Sequence, residues 1–450
     1  MKPGLIWLLG FAAPMIAGLP LAFARPFGWL PLPSRMALSG AVGWFSTSLA
    51  MTAASLLGIP WSVPWMTAAG LGITTWLARG LGREKPIRLV QTGTSSWARV
   101  AGWLLSSGGV AAAIVAVVAG AATSGDLIVF WGAKSEAFAL ARGVDAGFLK
   151  TPALQYLHAS YPPLLTDVYA LATIVAGRFS WLAATATFPL LLAVLAVALT
   201  GILRWTADAD RASLAAAVAV CGIGLLGNEA DVAGNGEMAL LLFESLAMAL
   251  LISPMMTAAS MQRLAGCLLG GAACTKVEGL PFAVAAIALF LVVNRRRVEP
   301  GRALIRLAGP TLLGLAVWFS FGAGRGLFTG YRGYGSFHVI YAKNLGVVLG
   351  CVGRSLWLVG YGLPFLVPIV LVLLRGRVPR MAWLPLGTAA TLALFFVFTY
   401  LHEPDPRLWI GWSAARIFAP LIPLVTIAAV SAAERPGDER NPSGQPSGDA

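Results

Sequence analysis

The chain has 450 residues, of which 58% are hydrophobic and 11% charged, with a mean hydropathy of +0.78. A soluble domain carries about 25% charged residues, so the composition excludes a water-soluble globular protein for the bulk of the chain. Lys and Arg outnumber Asp and Glu by 32 to 19, a formal net charge of +13, and the placement of those charges decides between nucleic acid and membrane as the partner.

The apolar runs are continuous in Leu, Ala, Val and Ile rather than alternating. Helices are therefore meant, and about 20 residues cross a bilayer. In chain order, spans are predicted near 5–22, 36–57, 62–78, 100–122, 181–203, 213–226 and 238–252. Two shorter runs follow at 264–274 and 280–293, then spans near 303–321, 355–374, 383–401 and 415–432. This is an all-α, polytopic integral membrane protein with about 13 transmembrane helices. The two short runs read either as half-buried helices meeting at 276–279 or as two thin spans. Residues 1–24 end in Ala22-Phe23-Ala24, a signal-cleavage pattern. Cleavage there would put the five-charge loop 79–99 outside, so an uncleaved first span is expected. The tail from Glu434, rich in Pro, Gly, Ser and Asp, is too polar to pack and reads as disordered.

The basic residues cluster in alternate loops. They are Arg79, Arg83, Lys85, Arg88 and Arg99, then Arg204 and Arg211, then the Arg295–Arg306 stretch, then Arg375, Arg377 and Arg380. By the positive-inside rule these loops are cytoplasmic. The surplus charge is a topology signal and not a nucleic-acid footprint. The opposite, extracytoplasmic side then carries loops 124–180, 228–237, 275–279, 324–354 and 402–414.

Those outer loops hold the residues worth singling out. A charge at the centre of a membrane helix costs about 2.5–3.5 kcal/mol on insertion scales, so acids and bases at span ends need a reason. Asp126, just past the 100–122 span, is a candidate general base, though a helix cap would read the same. Lys134 and Glu136 are near enough in sequence to pair. Tyr161-Pro162-Pro163 is a rigid lead into the apolar stretch 164–177, which contains Asp167 and reads as an interfacial helix. Trp131 and Tyr161 are placed to stack on a sugar face, a position that interface aromatics also occupy in any membrane protein. Lys276 and Glu278 lie at the tip of the two short helices, and Arg416 at the outer end of the last span. Lys276 and Arg416 suit a phosphate, as a point charge and a bidentate fork respectively. Pairing with Glu403, Asp405 or a lipid headgroup is the alternative for both. No two of His158, His338 and His402 have metal-ligand spacing, so no metal site is predicted. The four Cys read as small buried hydrophobes. Glu244, deep in the 238–252 run, has no account at this level.

Five short segments, taken in order, resemble the GT-C superfamily of membrane glycosyltransferases, which includes protein O-mannosyltransferases and lipid A aminoarabinose transferases. They are Asp126 with Trp131 and Lys134; His158, Tyr161, Pro162 and Pro163; Ala230-Asp231; Thr275, Lys276, Glu278 and Gly279; and Trp409, Ser413 and Arg416. The chain departs from the family pattern at Gly125, at Ala159-Ser160, after Asp231 and at Val277. The resemblance covers roughly 100–432. It divides the chain into three additional N-terminal helices with a basic loop (1–99), a GT-C-like catalytic domain (100–432) and the tail (433–450).

The resemblance implies transfer of a sugar from a polyprenyl-phosphate donor to a lipid, glycan or protein acceptor, with inversion, on the outer side of the cell's inner (plasma) membrane. Asp126 would be the catalytic base. Lys276 and Arg416 would bind the donor phosphate, and Trp131, Lys134, His158, Tyr161, Asp231 and Glu278 would bind substrate. No cofactor is implied with certainty, and the pattern leaves room for a divalent cation at Asp231. The rival reading is a secondary transporter or flippase of lipid-linked sugars, which predicts charges near the bilayer middle. A third, a non-catalytic scaffold, leaves the five motifs unexplained.

Overall fold

A computed structural model describes residues 2–28, 30–82, 96–119, 124–151, 158–224, 233–328, 340–359, 362–374 and 378–432, except for the side chains of Ser96 and Trp412. Asp231, Glu229, His338, most of the basic loop 79–99 and the tail lie outside the described residues, so the predictions made for them have no structural counterpart here. The described residues are mostly helical, with no strand among them.

Helices α1 (Pro3–Ile16) and α2 (Leu19–Ala22) stand where one span was predicted. Pro20 has no N–H with which to continue the ladder, and the helix breaks just before it. Next come α3 (Leu32–Leu56), α4 (Val63–Leu81) and α5 (Ser96–Ala119), then the short α6 (Ala133–Ala141), α7 (Ala146–Leu149) and α8 (Leu164–Ala176). The central run is α9 (Trp181–Ile202), α10 (Ala209–Gly224), α11 (Gly236–Leu251), α12 (Ala259–Thr275), α13 (Gly279–Asn294) and α14 (Pro300–Gly324). The chain finishes with α15 (Leu345–Leu358), α16 (Leu363–Leu373), α17 (Trp383–Tyr400), α18 (Pro406–Phe418) and α19 (Leu421–Ala432). Pro364 and Pro420 divide the two spans predicted over 355–374 and 415–432.

Five of these stretches are long and apolar enough to cross a membrane: Trp97–Ala119, Trp181–Trp205, Pro300–Gly324, Arg380–Tyr400 and Ser413–Ala432, with α15 and α16 together as a sixth if they form one bent span. The other predicted spans correspond to helices that are shorter or less apolar. α11 is the hub. Every residue from Gly236 to Leu251 is buried, and it packs on α9, α12, α13 and α19. A helix that is apolar on all sides belongs at the centre of a bundle. The outer helices instead expose large apolar side chains, such as Trp103, Leu104, Val115 and Val118 on α5 and Leu312 and Leu313 on α14. A soluble protein rarely shows such faces; lipid suits them.

The N-terminal helices share one core with the rest. Trp7 and Phe11 of α1 pack on Tyr169 of α8, and the Trp7 indole donates to the Thr173 hydroxyl at 3.2 Å. α8 begins right after Pro163, as Tyr161-Pro162-Pro163 predicts, but it does not lie on a surface. Leu164–Thr173 are buried under α1, α3 and α6. Its Asp167 accepts hydrogen bonds from Ser48 at 2.7 Å and Thr52 at 3.1 Å, both on α3.

The basic segments approach one another. Arg99 pairs with Asp210 at 3.1 Å, Arg263 lies over the Trp76 ring, Arg306 donates to Gln262, and Arg380 donates to the Val292 carbonyl.

Candidate functional site

The site begins at the break between α12 and α13. Lys276 is fully extended (φ −154°, ψ 156°), which ends α12, and three residues later α13 starts. Gly279 is required there, since a Cβ at this position would lie 2.0 Å from the Ala272 carbonyl oxygen. The tight turn pins Lys276 and Glu278 side by side, with Nζ 3.1 Å from Glu278 Oε1.

Lys276 Nζ also donates to Glu237 Oε1 at 3.0 Å. Glu237 is the second residue of α11, and its side chain is only 3% exposed. The same Oε1 lies 3.5 Å from Arg416 Nη1 on α18, and Arg416 Nη1 donates to Asp126 Oδ2. One chain of ion pairs thus runs Glu278–Lys276–Glu237–Arg416–Asp126. Its exposed end is Asp126, 42% exposed against 14% for Arg416. Three carboxylate oxygens in or beside it, on Glu237, Glu244 and Glu278, are buried without a hydrogen-bond partner.

Local structure holds the two carboxylate-bearing segments together. Ser124, two residues before Asp126, donates to Asn235, two residues before Glu237, at 3.0 Å. The Tyr169 hydroxyl donates to the Gly234 carbonyl at 3.0 Å. Gly236 lets the Trp131 ring approach, since a Cβ there would fall 2.7 Å from it. Immediately after Asp126 the chain makes a π-helical turn, Leu127–Gly132. Such wide turns recur at functional sites because they re-aim side chains that a regular helix would space differently.

That turn supplies an aromatic box. Phe130 lies edge-on to His158 and Tyr161, and the His158 ring stacks on Tyr161 with centroids 4.8 Å apart. The Lys134 ammonium points into the box, 3.8 Å from the Phe130 centroid and 5.5 Å from that of Trp131. Lys134 is buried while Glu136 is exposed, so the pairing predicted between them does not form. Burial drives the Lys134 ammonium well below the ordinary lysine range, with the Asp167 carboxylate opposing. Burial and then the Lys134 charge bring the His158 imidazole down to about 4, so it is neutral at physiological pH. His158 also holds a left-handed backbone (φ 43°), a conformation that costs a non-glycine residue about 1–2 kcal/mol and tends to persist where function requires it.

Of the residues singled out from the sequence, Asp126, Lys276, Glu278 and Arg416 meet in one network, and Trp131, Lys134, His158 and Tyr161 form the box. Trp131 and Tyr161 are 1% and 4% exposed, so their faces are taken up by protein and not open to a sugar. Among the described residues, Arg416 meets the carboxylates of Asp126 and Glu237, and Lys276 those of Glu278 and Glu237. Glu403 and Asp405 are not among them. Asp405 instead caps α18 by accepting from the Arg407 N–H. Glu237 was missed by the sequence reading. Its signal was present: an acid one residue before a long apolar run, at the same predicted level as the other charges. Among the described residues no group of three or more His, Cys, Asp or Glu is arranged to hold a metal ion. Asp231, where a cation was given room, lies outside them.

Comparison with protein-family models, with curated proteins and with solved structures found no match to the chain.

Proposed function

We propose that the protein is an integral membrane glycosyltransferase of the GT-C type, with about 13 membrane passes, that moves a sugar from a polyprenyl-phosphate donor to a lipid, glycan or protein acceptor at the extracytoplasmic face of the plasma membrane. One observation carries the reading: Asp126, Lys276 and Arg416, spread over 290 residues of chain, join one ion-pair network through Glu237. A purely structural network has no need to keep a carboxylate half in the open at its end.

In this reading Asp126 takes the proton of the acceptor hydroxyl. The oxygen attacks the anomeric carbon as the bond from that carbon to the phosphate oxygen breaks, which inverts the centre. Lys276 and Arg416 stabilise the charge growing on the departing phosphate, the usual large electrostatic contribution. Thr275-Lys276 and Glu278-Gly279 fix the Lys276 ammonium by the tight turn, and Ser124–Asn235 fixes Asp126 against α11. The neutral His158 lies near enough to Asp126 to feel its charge, and the closed box around it backs the turn that follows Asp126. The test is transfer from a radiolabelled polyprenyl-phosphate sugar in membranes carrying the protein. Wild-type transfer with loss in Asp126→Asn supports the reading; no transfer with any such donor sinks it.

The transporter or flippase reading draws on Glu244, buried on the hub helix with an unpaired oxygen. It predicts movement of lipid-linked sugar across vesicles without formation of a new glycosidic bond, which the same label distinguishes. Membrane sidedness is tested separately. With the native cysteines replaced, an outside reagent should label Asp145→Cys and miss Pro86→Cys.

A further inference from the structure

Among the described residues the network holds two cations, Lys276 and Arg416, against three carboxylates, Asp126, Glu237 and Glu278. It therefore carries a surplus of one negative charge before any anion arrives. Glu237 Oε1 sits on both cations at once, 3.0 Å from Lys276 and 3.5 Å from Arg416. That is the position in which one phosphate oxygen would engage the same pair. We propose that Glu237 is an internal counter-anion occupying the phosphate position, that the donor phosphate displaces it from Lys276 and Arg416, and that binding is coupled to uptake of a proton by Glu237. The inference rests on the reading of Lys276 and Arg416 as the phosphate-binding pair.

The physical reason is burial. Glu237 lies on a helix with no exposed residue, so a displaced carboxylate cannot swing into water. A buried carboxylate stripped of its cations is strongly disfavoured, and isolated buried Glu side chains titrate at about 8–9. Glu237 Oε2 is already buried and unpaired, so it can carry the proton without breaking a bond. Once protonated, the side chain changes from a competitor for the two cations to an O–H donor toward the phosphate.

The surrounding groups do not offer an easier route. α9, α13 and α19 bring no titratable side chain to Glu237, and the one basic residue of α3, Arg35, bonds to the Leu30 and Gly28 carbonyls. Among the described residues, what faces it is Lys276 and Glu278 from the α12–α13 turn with Cys274 just before it, Arg416 from α18 and Asp126 before the π-helical turn. Lys134 and His158 lie beyond these, and Glu244 lies two turns along α11. Of the carboxylates, Asp126 is half-exposed and can be solvated as an anion, and Glu278 keeps Lys276. Glu237 is the one that loses both its partners.

The test uses the detergent-solubilised full chain and a farnesyl methyl phosphodiester, whose single negative charge is constant across the range studied. Calorimetric titration in two buffers of different ionisation enthalpy counts protons taken up. At pH 7.5 the wild type should take up about one proton and bind up to about tenfold tighter per unit fall in pH. Glu237→Gln, whose amide imitates the protonated acid, should bind about tenfold tighter or more, without proton uptake. Wild-type binding with no proton uptake overturns the inference, whether or not the variant folds. So does weaker binding by a folded Glu237→Gln, which would make Glu237 only a support for the two cations. If Lys276→Ala and Arg416→Ala bind like wild type, or if neither wild type nor Glu237→Gln binds at all, the phosphate reading itself fails.

Discussion

The protein buries carboxylates in two contrasting ways. Asp167 sits between α8 and α3, and its hydrogen bonds come from two neutral hydroxyls, Ser48 and Thr52. Glu237 sits between α11, α12 and α18 and is held by two cations, Lys276 and Arg416. The hydroxyls both donate to Oδ2 and join two helices, leaving Oδ1 buried without a partner, and they offer nothing to an incoming anion. Cations satisfy the carboxylate and can also be transferred to a ligand. The first arrangement therefore reads as architecture and the second as a site. The contrast can be broken by experiment, because substitutions in the Asp167 region should cost stability and those in the Glu237 network should cost function.

The largest effect belongs to Asp126→Asn. The amide keeps the shape and loses the base, and removing a general base typically costs about 10²–10⁴ in rate. Arg416 keeps Glu237 as a neighbour, and Asp126 is the exposed end of the network, so the thermal unfolding midpoint should stay near that of wild type. Near-normal transfer would make Asp126 only an ion-pair partner of Arg416 and would erase the distinction between the two regions.

Much of this contrast was legible in the sequence as depth and little of it as direction. Hydropathy located the ends of α9, α11 and α17 within about two residues and put Asp126, Lys276 and Arg416 near span ends. It did not say which way any helix is turned about its axis, because spans that are apolar all round carry no azimuthal pattern. Lys134, expected near enough to Glu136 to pair, turns inward while Glu136 faces out. Trp131 and Tyr161 were placed at an open face, and they are buried. Glu237, at the end of the outer loop 228–237, was not singled out. The pairing of Asp126 with Arg416 depends on contacts between helices far apart in sequence, which local spacing cannot supply. Backbone breaks were partly readable: the 276–279 break was expected, whereas those before Pro20 and Pro420 lay inside runs apolar enough to look continuous.

Asp167→Ala comes next. It strips the Ser48 hydroxyl of its acceptor and leaves Thr52 only its bond to the Ser48 carbonyl. A buried donor left unsatisfied costs about 1–3 kcal/mol. The unfolding midpoint should fall, while transfer by the folded fraction is retained. Asp167→Asn keeps an acceptor oxygen for both hydroxyls and should recover most of the loss. If Asp167→Ala instead abolishes transfer with no change in stability, Asp167 belongs to the site.

Within the network, Lys276 and Arg416 share Glu237 Oε1, so their losses should not add. Donor affinity measured for Lys276→Ala, Arg416→Ala and the double variant should show a coupling of about 0.5–3 kcal/mol, as for other residues in one ion-pair network. Arg416→Lys should also be poorly tolerated, because a point charge cannot hold the donor phosphate through two hydrogen bonds as a planar guanidinium does. Additive losses, with Arg416→Lys fully active, would mean that the two cations only anchor their helices.

The smallest effect is one of pH and concerns the box beside the site. In the folded chain His158 titrates at about 4, against 6.5 for the ordinary group. Above pH 6.5 the imidazole is neutral folded or unfolded and contributes no pH dependence. Between about 6.5 and about 4 the unfolded chain binds a proton that the folded chain refuses, so stability must fall as pH falls through that window. Burial is the main cause, and the Lys134 charge adds to it. His158→Gln, which cannot titrate, should therefore flatten the decline of the unfolding midpoint between pH 6.5 and 4.5 and leave the midpoint at pH 8 nearly unchanged. An identical slope in the variant would place the His158 imidazole in water, and Phe130, Tyr161 and Lys134 would then not form the closed box described here.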